Sequence, residues 1–142
     1  MTIDEELQQL ETLKHVGRAL ADFVRSLPPS VKPNYCEGEF KRQGKKWVHD
    51  PNFVTFTLHY IRTENITLSL RGNPSQFQQS DVLPLQPGRG AKTSKGGYSE
   101  CRISGARQLG AAAVYIERAY EIYRKGRGCK HRIVSPTGNG TQ

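Results

Sequence analysis

The sequence predicts an α+β domain: an antiparallel sheet of four to five strands with an N-terminal and a C-terminal helix packed on one face. Three observations predict it. Apolar residues recur at three- and four-residue steps near both ends of the 142-residue chain, the helical period. Between these runs they alternate with polar residues, the period of a half-buried strand. Two connections between the alternating runs are of hairpin length, and no helix is available between strands for a parallel crossover.

A first helix is expected from Asp4 to Ser26. Thr2 and Glu5 have the spacing of a capping box, in which each side chain satisfies the other's free amide. Leu7, Leu10, Leu13, Val16 or Gly17, Leu20, Phe23 and Leu27 form one stripe, and Pro28-Pro29 ends the helix because proline has no amide to donate. A short strand is expected at Tyr35 to Lys41, then a turn at Gln43-Gly44 and a run from Lys45 to Val48. The clearest strand is Phe53 to Tyr60, with Val54, Phe56, Leu58 and Tyr60 facing one way and Thr55, Thr57 and His59 the other. After the polar turn Arg62 to Asn65, the residues Ile66, Leu68 and Leu70 complete a hairpin.

From Arg71 to Gly97 the pattern dissolves among Asn73-Pro74, Leu83-Pro84, Gln86-Pro87-Gly88 and Gly96-Gly97, which predicts a long, flexible basic loop. A strand follows at Tyr98 to Ile103, with Cys101 and Ile103 on one face. Ser104 is placed to cap a second helix over Gly105 to Lys125, whose stripe is Leu109, Ala112 or Ala113, Ile116, Ala119 or Tyr120, and Tyr123. Residues 1–125 therefore read as a single domain, and the Gly-, Ser-, Pro- and Thr-containing stretch 126–142 as a disordered basic tail.

Charge narrows the function. The chain holds 21 Lys and Arg against 13 Asp and Glu, a net charge of +8. Residues 1–31 carry net −2, residues 32–71 net +3, residues 72–99 net +2 and residues 100–142 net +5. Arg124, Lys125, Arg127, Lys130 and Arg132 form the densest run, with no acid among them. This asymmetry points to a polyanion, or to an acidic protein partner. No stretch is apolar enough to span a membrane, and the acidic N-terminus lacks the pattern of a secretory signal, so a cytoplasmic location is expected. Cys36, Cys101 and Cys129 are odd in number and widely spaced, unlike a disulfide framework.

The order of elements resembles a small bacterial domain often labelled a predicted transport protein, found in proteins associated with restriction and phage defence. The likeness covers residues 5–125. It rests on the N-terminal helix, Lys32-Pro-Asn-Tyr35, Asn52-Phe-Val-Thr-Phe56 and Ile66-Thr-Leu-Ser-Leu70. It continues through Gly97-Tyr-Ser-Glu-Cys-Arg-Ile-Ser104 and the helix containing Tyr115-Ile-Glu-Arg-Ala-Tyr-Glu121. The chain departs from it in the basic residues between Gly88 and Gly96 and in the Arg-rich tail. The resemblance implies an accessory or binding module and no catalytic residues.

Motifs for chemistry are sparse. Glu39-Phe-Lys41 matches the E-x-K half of a metal-dependent nuclease signature, with Glu37 as a further acid, but no suitable acid lies on a preceding strand. Cys36, Cys101, Cys129 and His131 lack the paired spacing of a zinc site. None of His15, His49, His59 and His131 lies beside a G-x-S-x-G elbow. Gly88 to Gly97 has glycines and lysines like a phosphate-binding loop, but lacks its spacing and its following helix. Trp47, among Lys45, Lys46 and His49, reads either as a base-stacking ring or as core under the sheet edge.

The expected function is a non-catalytic nucleic-acid-binding module without cofactor or metal. Lys45, Lys46, Trp47, Arg89, Lys92, Lys95, Arg124, Lys125, Arg127, Lys130 and Arg132 would contact DNA or RNA, mainly at phosphate. An adaptor domain of a larger defence or regulatory assembly is the alternative, and a metal-dependent nuclease at Glu37, Glu39 and Lys41 the weaker one.

Overall fold

The computed structural model describes residues 1–27, 39–88 and 97–126. Helices α1 (Ile3–Leu7) and α2 (Lys14–Ser26) precede strands β1 (Glu39–Gln43), β2 (Lys46–Asp50), β3 (Val54–His59) and β4 (Asn65–Arg71). Strands β5 (Gln86–Pro87) and β6 (Tyr98–Ile103) and helix α3 (Leu109–Gly126) follow. The strands form one antiparallel sheet in the order β1-β2-β3-β4-β6-β5. The fold class is α+β, as expected, with six strands where four to five were predicted. The sixth, β5, is a two-residue strand inside the segment that showed no period.

Register explains which face is buried. Val54 pairs with Leu70, Phe56 with Leu68 and Leu58 with Ile66, and on the next strand Leu68 faces Cys101 and Ile66 faces Ile103. These residues form one core cluster with Leu20 and Val24 of α2 and Ala112, Tyr115, Ile116 and Ala119 of α3. The alternate positions, among them Lys46, Thr55, Thr57, Thr67, Ser69, Glu100 and Arg102, make the polar face of the sheet.

The predicted helix over 4–26 is two helices. The capping box forms, with Glu5 N donating to Thr2 Oγ1 at 3.1 Å and Thr2 N to Glu5 Oε1 at 2.7 Å. The chain then leaves the helix after Leu7. Glu64, in the β3–β4 turn, accepts from the amides of Glu11, Thr12 and Leu13 and from the Thr12 hydroxyl, so it caps the start of α2. The break lets Leu7, Leu10 and Leu13 all reach the core. It also lays α1 against α2 at Gly17, where a Cβ would sit 2.5 Å from Leu7 Cδ2.

Residues 74–88, predicted as open loop, are packed. Phe77, Leu83 and Leu85 are buried. Tyr115 of α3 donates its hydroxyl to the Leu83 carbonyl at 2.6 Å and accepts from Ser80 N at 2.8 Å. Arg118 Nε donates to the Gln76 carbonyl at 2.8 Å. These anchors are long-range side-chain bonds from α3, which no local period announces. The cap before α3 is likewise supplied by Gln108, whose Oε1 accepts from Ser104 N and Gly105 N, in place of the predicted Ser104 side chain. The expected strand residues 35–38, loop residues 89–96 and tail 127–142 lie outside the described residues.

Candidate nucleic-acid interface

The charge of the described residues differs from that of the whole chain. The described residues hold fourteen Lys and Arg and twelve Asp and Glu, so only +2 of the net +8 belongs to them. The remaining +6 is carried by Arg89, Lys92 and Lys95 and by Arg127, Lys130 and Arg132, since Lys32 and Glu37 cancel. Six of the eleven predicted contact residues therefore lie outside the described residues.

The points where those two basic segments join the body can be located. Gly88, before Arg89, donates its amide to Tyr98 O at 2.8 Å, and Gly72 donates to Gly97 O at 3.0 Å. Gly97 has a φ of +76°, and a Cβ there would collide with Asn73, so the segment re-enters the sheet through a glycine-only turn. Arg71, at the end of β4, lies 5.5 Å from the Tyr98 ring centroid and 5.9 Å from that of Tyr123 in the last turns of α3. Its Nε donates to Asn52 O at 3.0 Å. One cation thus bridges the exit of the 89–96 segment to the helix from which 127–142 departs.

Arg124 and Lys125 extend this end of the molecule. The Arg124 guanidinium lies 5.6 Å from the Tyr120 ring centroid, in the range of a cation–π contact, and Lys125 is exposed. No ion pair among the described residues engages Arg71, Arg124 or Lys125.

The other predicted residues are elsewhere. Lys46 is exposed on the polar sheet face opposite Thr57, and Lys45 sits in the β1–β2 turn at the far end of the sheet. Trp47 is only 2% exposed, and its Nε1 donates to Glu6 Oε1 at 2.6 Å. Its ring belongs to the core, the second of the two roles weighed for it, and offers no surface on which a base could stack. Arg71 was absent from the predicted set. Its only sequence signal is a cation ending an apolar strand.

The nuclease residues are partly assembled. Glu39 faces Asp50 across β1 and β2, and Lys41 Nζ lies 3.4 Å from Asp50 Oδ2. The acid missing from the sequence motif is therefore present, but on the following strand, while Glu37 lies outside the described residues. Among the described residues no group of three or more His, Cys, Asp or Glu is placed to hold a metal. Cys101 is buried, and burial, reinforced by Glu100, pushes its thiol up to about 12, so it stays a protonated packing group at neutral pH. Cys36, Cys129 and His131 lie outside the described residues, and no described helix is long and apolar enough to cross a membrane.

No family model matches the chain, and the searches of curated proteins and of solved structures found no match.

Proposed function

We propose that the chain is a non-catalytic nucleic-acid-binding module that holds the phosphate backbone with two basic segments rooted at one end of a nearly neutral fold. The observation that carries this reading is Arg71. It lies beside the rings of both Tyr98 and Tyr123, so the start of β6 and the last turns of α3 meet at one arginine that has no ion pair among the described residues. Six cations outside the described residues, together with Arg71, Arg124 and Lys125, would follow a backbone without reading base edges.

The test is a titration of labelled duplex and single-stranded DNA and RNA between roughly 50 and 200 mM salt. Binding should be nearly sequence-independent. If the six outlying cations each meet a phosphate, the log–log slope is about −5 on duplex DNA and about −4 on a single strand. Replacing Arg89, Lys92 and Lys95 with glutamate should weaken binding and flatten the slope to about −3 or less. Truncation after Gly126 should do the same. If both variants bind as the parent does, the segments only solubilise, and the adaptor reading takes over. Edge strand β1 would then be the surface to examine, as its outer side pairs with no described strand. Divalent-dependent cleavage lost in Glu39→Ala and Lys41→Ala would instead favour the nuclease.

A further inference from the structure

At the end of the sheet opposite Arg71, roughly 20 Å along β4, the β1–β2 and β3–β4 turns enclose a cleft of about 420 Å³. That volume lies within the range of small-molecule sites. Its floor is built around one buried carboxylate. Glu6 accepts from Trp47 Nε1 at 2.6 Å, from Tyr60 OH at 2.9 Å and from Arg42 Nη1 at 3.2 Å. Three donors consume the acid internally and leave little of its charge to repel an anion.

The same contacts orient the cleft walls. Arg42 is held by Glu6, by the Gly44 carbonyl at 3.0 Å from its Nε, and by the Trp47 ring at 5.5 Å, while its Nη2 has no partner among the described residues. Tyr60 is 37% exposed with its hydroxyl tied down, so its ring stands as a fixed wall. Lys45, His59 and Arg62 are exposed around the opening, and none of them forms an ion pair among the described residues. A pre-oriented guanidinium and two cations without an ion pair among the described residues converge where the lining carboxylate, Glu6, is already engaged.

We propose that this cleft binds an organic phosphomonoester, with the phosphate held by Arg42, Lys45 and Arg62 and the attached body lying against Tyr60. A dianion matches this charge better than a single carboxylate, and the guanidinium fork suits phosphate oxygens. A cleft of about 420 Å³ has room for more than inorganic phosphate. The site does not rest on the backbone-binding proposal, whose roots lie at the Arg71 end.

The intact protein carries its own reporter. Trp47 is the sole tryptophan and contacts both Glu6 and Arg42, so an anion that draws on Arg42 alters its emission. Adenosine 5′-monophosphate, inorganic phosphate and succinate are titrated by fluorescence and by calorimetry. The nucleotide should bind saturably, more tightly than either small anion. The exposed double substitution Lys45→Glu and Arg62→Glu should weaken it at least about tenfold, with an unchanged thermal melt, while Lys125→Glu should leave it unaffected. Absence of saturable binding in both readouts overturns the proposal, as does full binding by the double variant or tighter binding of succinate. Competition then identifies the phosphate source. Displacement by a 5′-phosphorylated oligonucleotide but not by its 5′-hydroxyl counterpart points to a strand end, and displacement by neither points to a free nucleotide. Equal displacement by both overturns monoester recognition in favour of backbone contact.

Discussion

Replacing Glu6 with alanine tests whether the buried carboxylate holds the N-terminal helix to the sheet. Its three donors lose their acceptor together, but not at equal cost. Trp47 is 2% exposed, so its indole N–H would be stranded without water, a penalty of about 1–3 kcal/mol. Arg42 and Tyr60 have side chains open enough to rehydrate, and their loss adds little. The space left by the truncated side chain adds roughly 1 kcal/mol. The expected loss is therefore about 2–4 kcal/mol, against a typical domain stability of about 5–15 kcal/mol.

Urea unfolding followed by far-UV circular dichroism measures this loss through the midpoint, with an unchanged m value. Glu6→Gln keeps one acceptor oxygen for the indole and should lose only about half as much. The specific claim concerns the pair, so Trp47→Phe is added with and without Glu6→Ala. If the stranded N–H is the main cost, removing it should recover about 1–3 kcal/mol as a coupling energy. A loss from Glu6→Ala below about 0.5 kcal/mol, or additive single and double variants, would refute the reasoning.

Two further outcomes follow from the buried polar groups. Burial pushes the Glu64 carboxyl up, but its bonds to Thr12, Glu11 and Leu13 outweigh this and hold it below the usual range. Its contribution should thus be complete above about pH 4.5 and vanish as pH falls through the lowered value. Glu64→Ala should cost about 1–2 kcal/mol at pH 7, and a difference equally large at pH 3 would contradict this. Burial lowers the His49 pKa below 6.5. The Pro51 carbonyl, bonded to Nδ1, and Asp50 oppose the shift, while Arg25 adds to it. Nε2 is buried without a partner among the described residues, so the unfolded chain takes up the proton first. Stability should fall as pH drops from about 6.5 toward the folded value. Thermal melts of His49→Leu should show a shallower fall than the parent over that window, and equal pH dependence in the two would exclude His49 as the source.

Strand alternation was legible because packing imposes it. The Val54-Phe56-Leu58 and Ile66-Leu68-Leu70 runs are buried on one face by register alone. The break between α1 and α2 was hidden because its cause, Glu64, is some fifty residues away in sequence, whereas Leu7, Leu10 and Leu13 fit an unbroken stripe equally well. Phe77, Leu83 and Leu85 gave no signal for a similar reason: Tyr115 and Arg118 of α3 hold their segment in place. The role of Trp47 was more accessible. It pairs with Phe56 and shares a face with His49, a period-two relation already present beside the lysines that suggested stacking. Glu6 had its signal too, lying three residues after Ile3 and four before Leu10, on the helical stripe that faces the core.

The cations obey no such constraint, and this explains why the two candidate sites differ in legibility. A lysine in solvent needs no partner, so its spacing carries no record of its neighbours. The Arg-rich run could be read from composition, but not that the end of α3 lies beside the start of β6, where Arg71 meets both Tyr98 and Tyr123. The cleft depends on Arg42, Lys45, His59 and Arg62 being gathered by two separate turns around Glu6. In both places an arginine is held against an aromatic ring, Arg71 over Tyr98 and Arg42 over Trp47. The fold positions charge by holding two arginines with aromatic rings and one buried acid, while the exposed Lys45, Arg62 and Lys125 lie outside the core cluster.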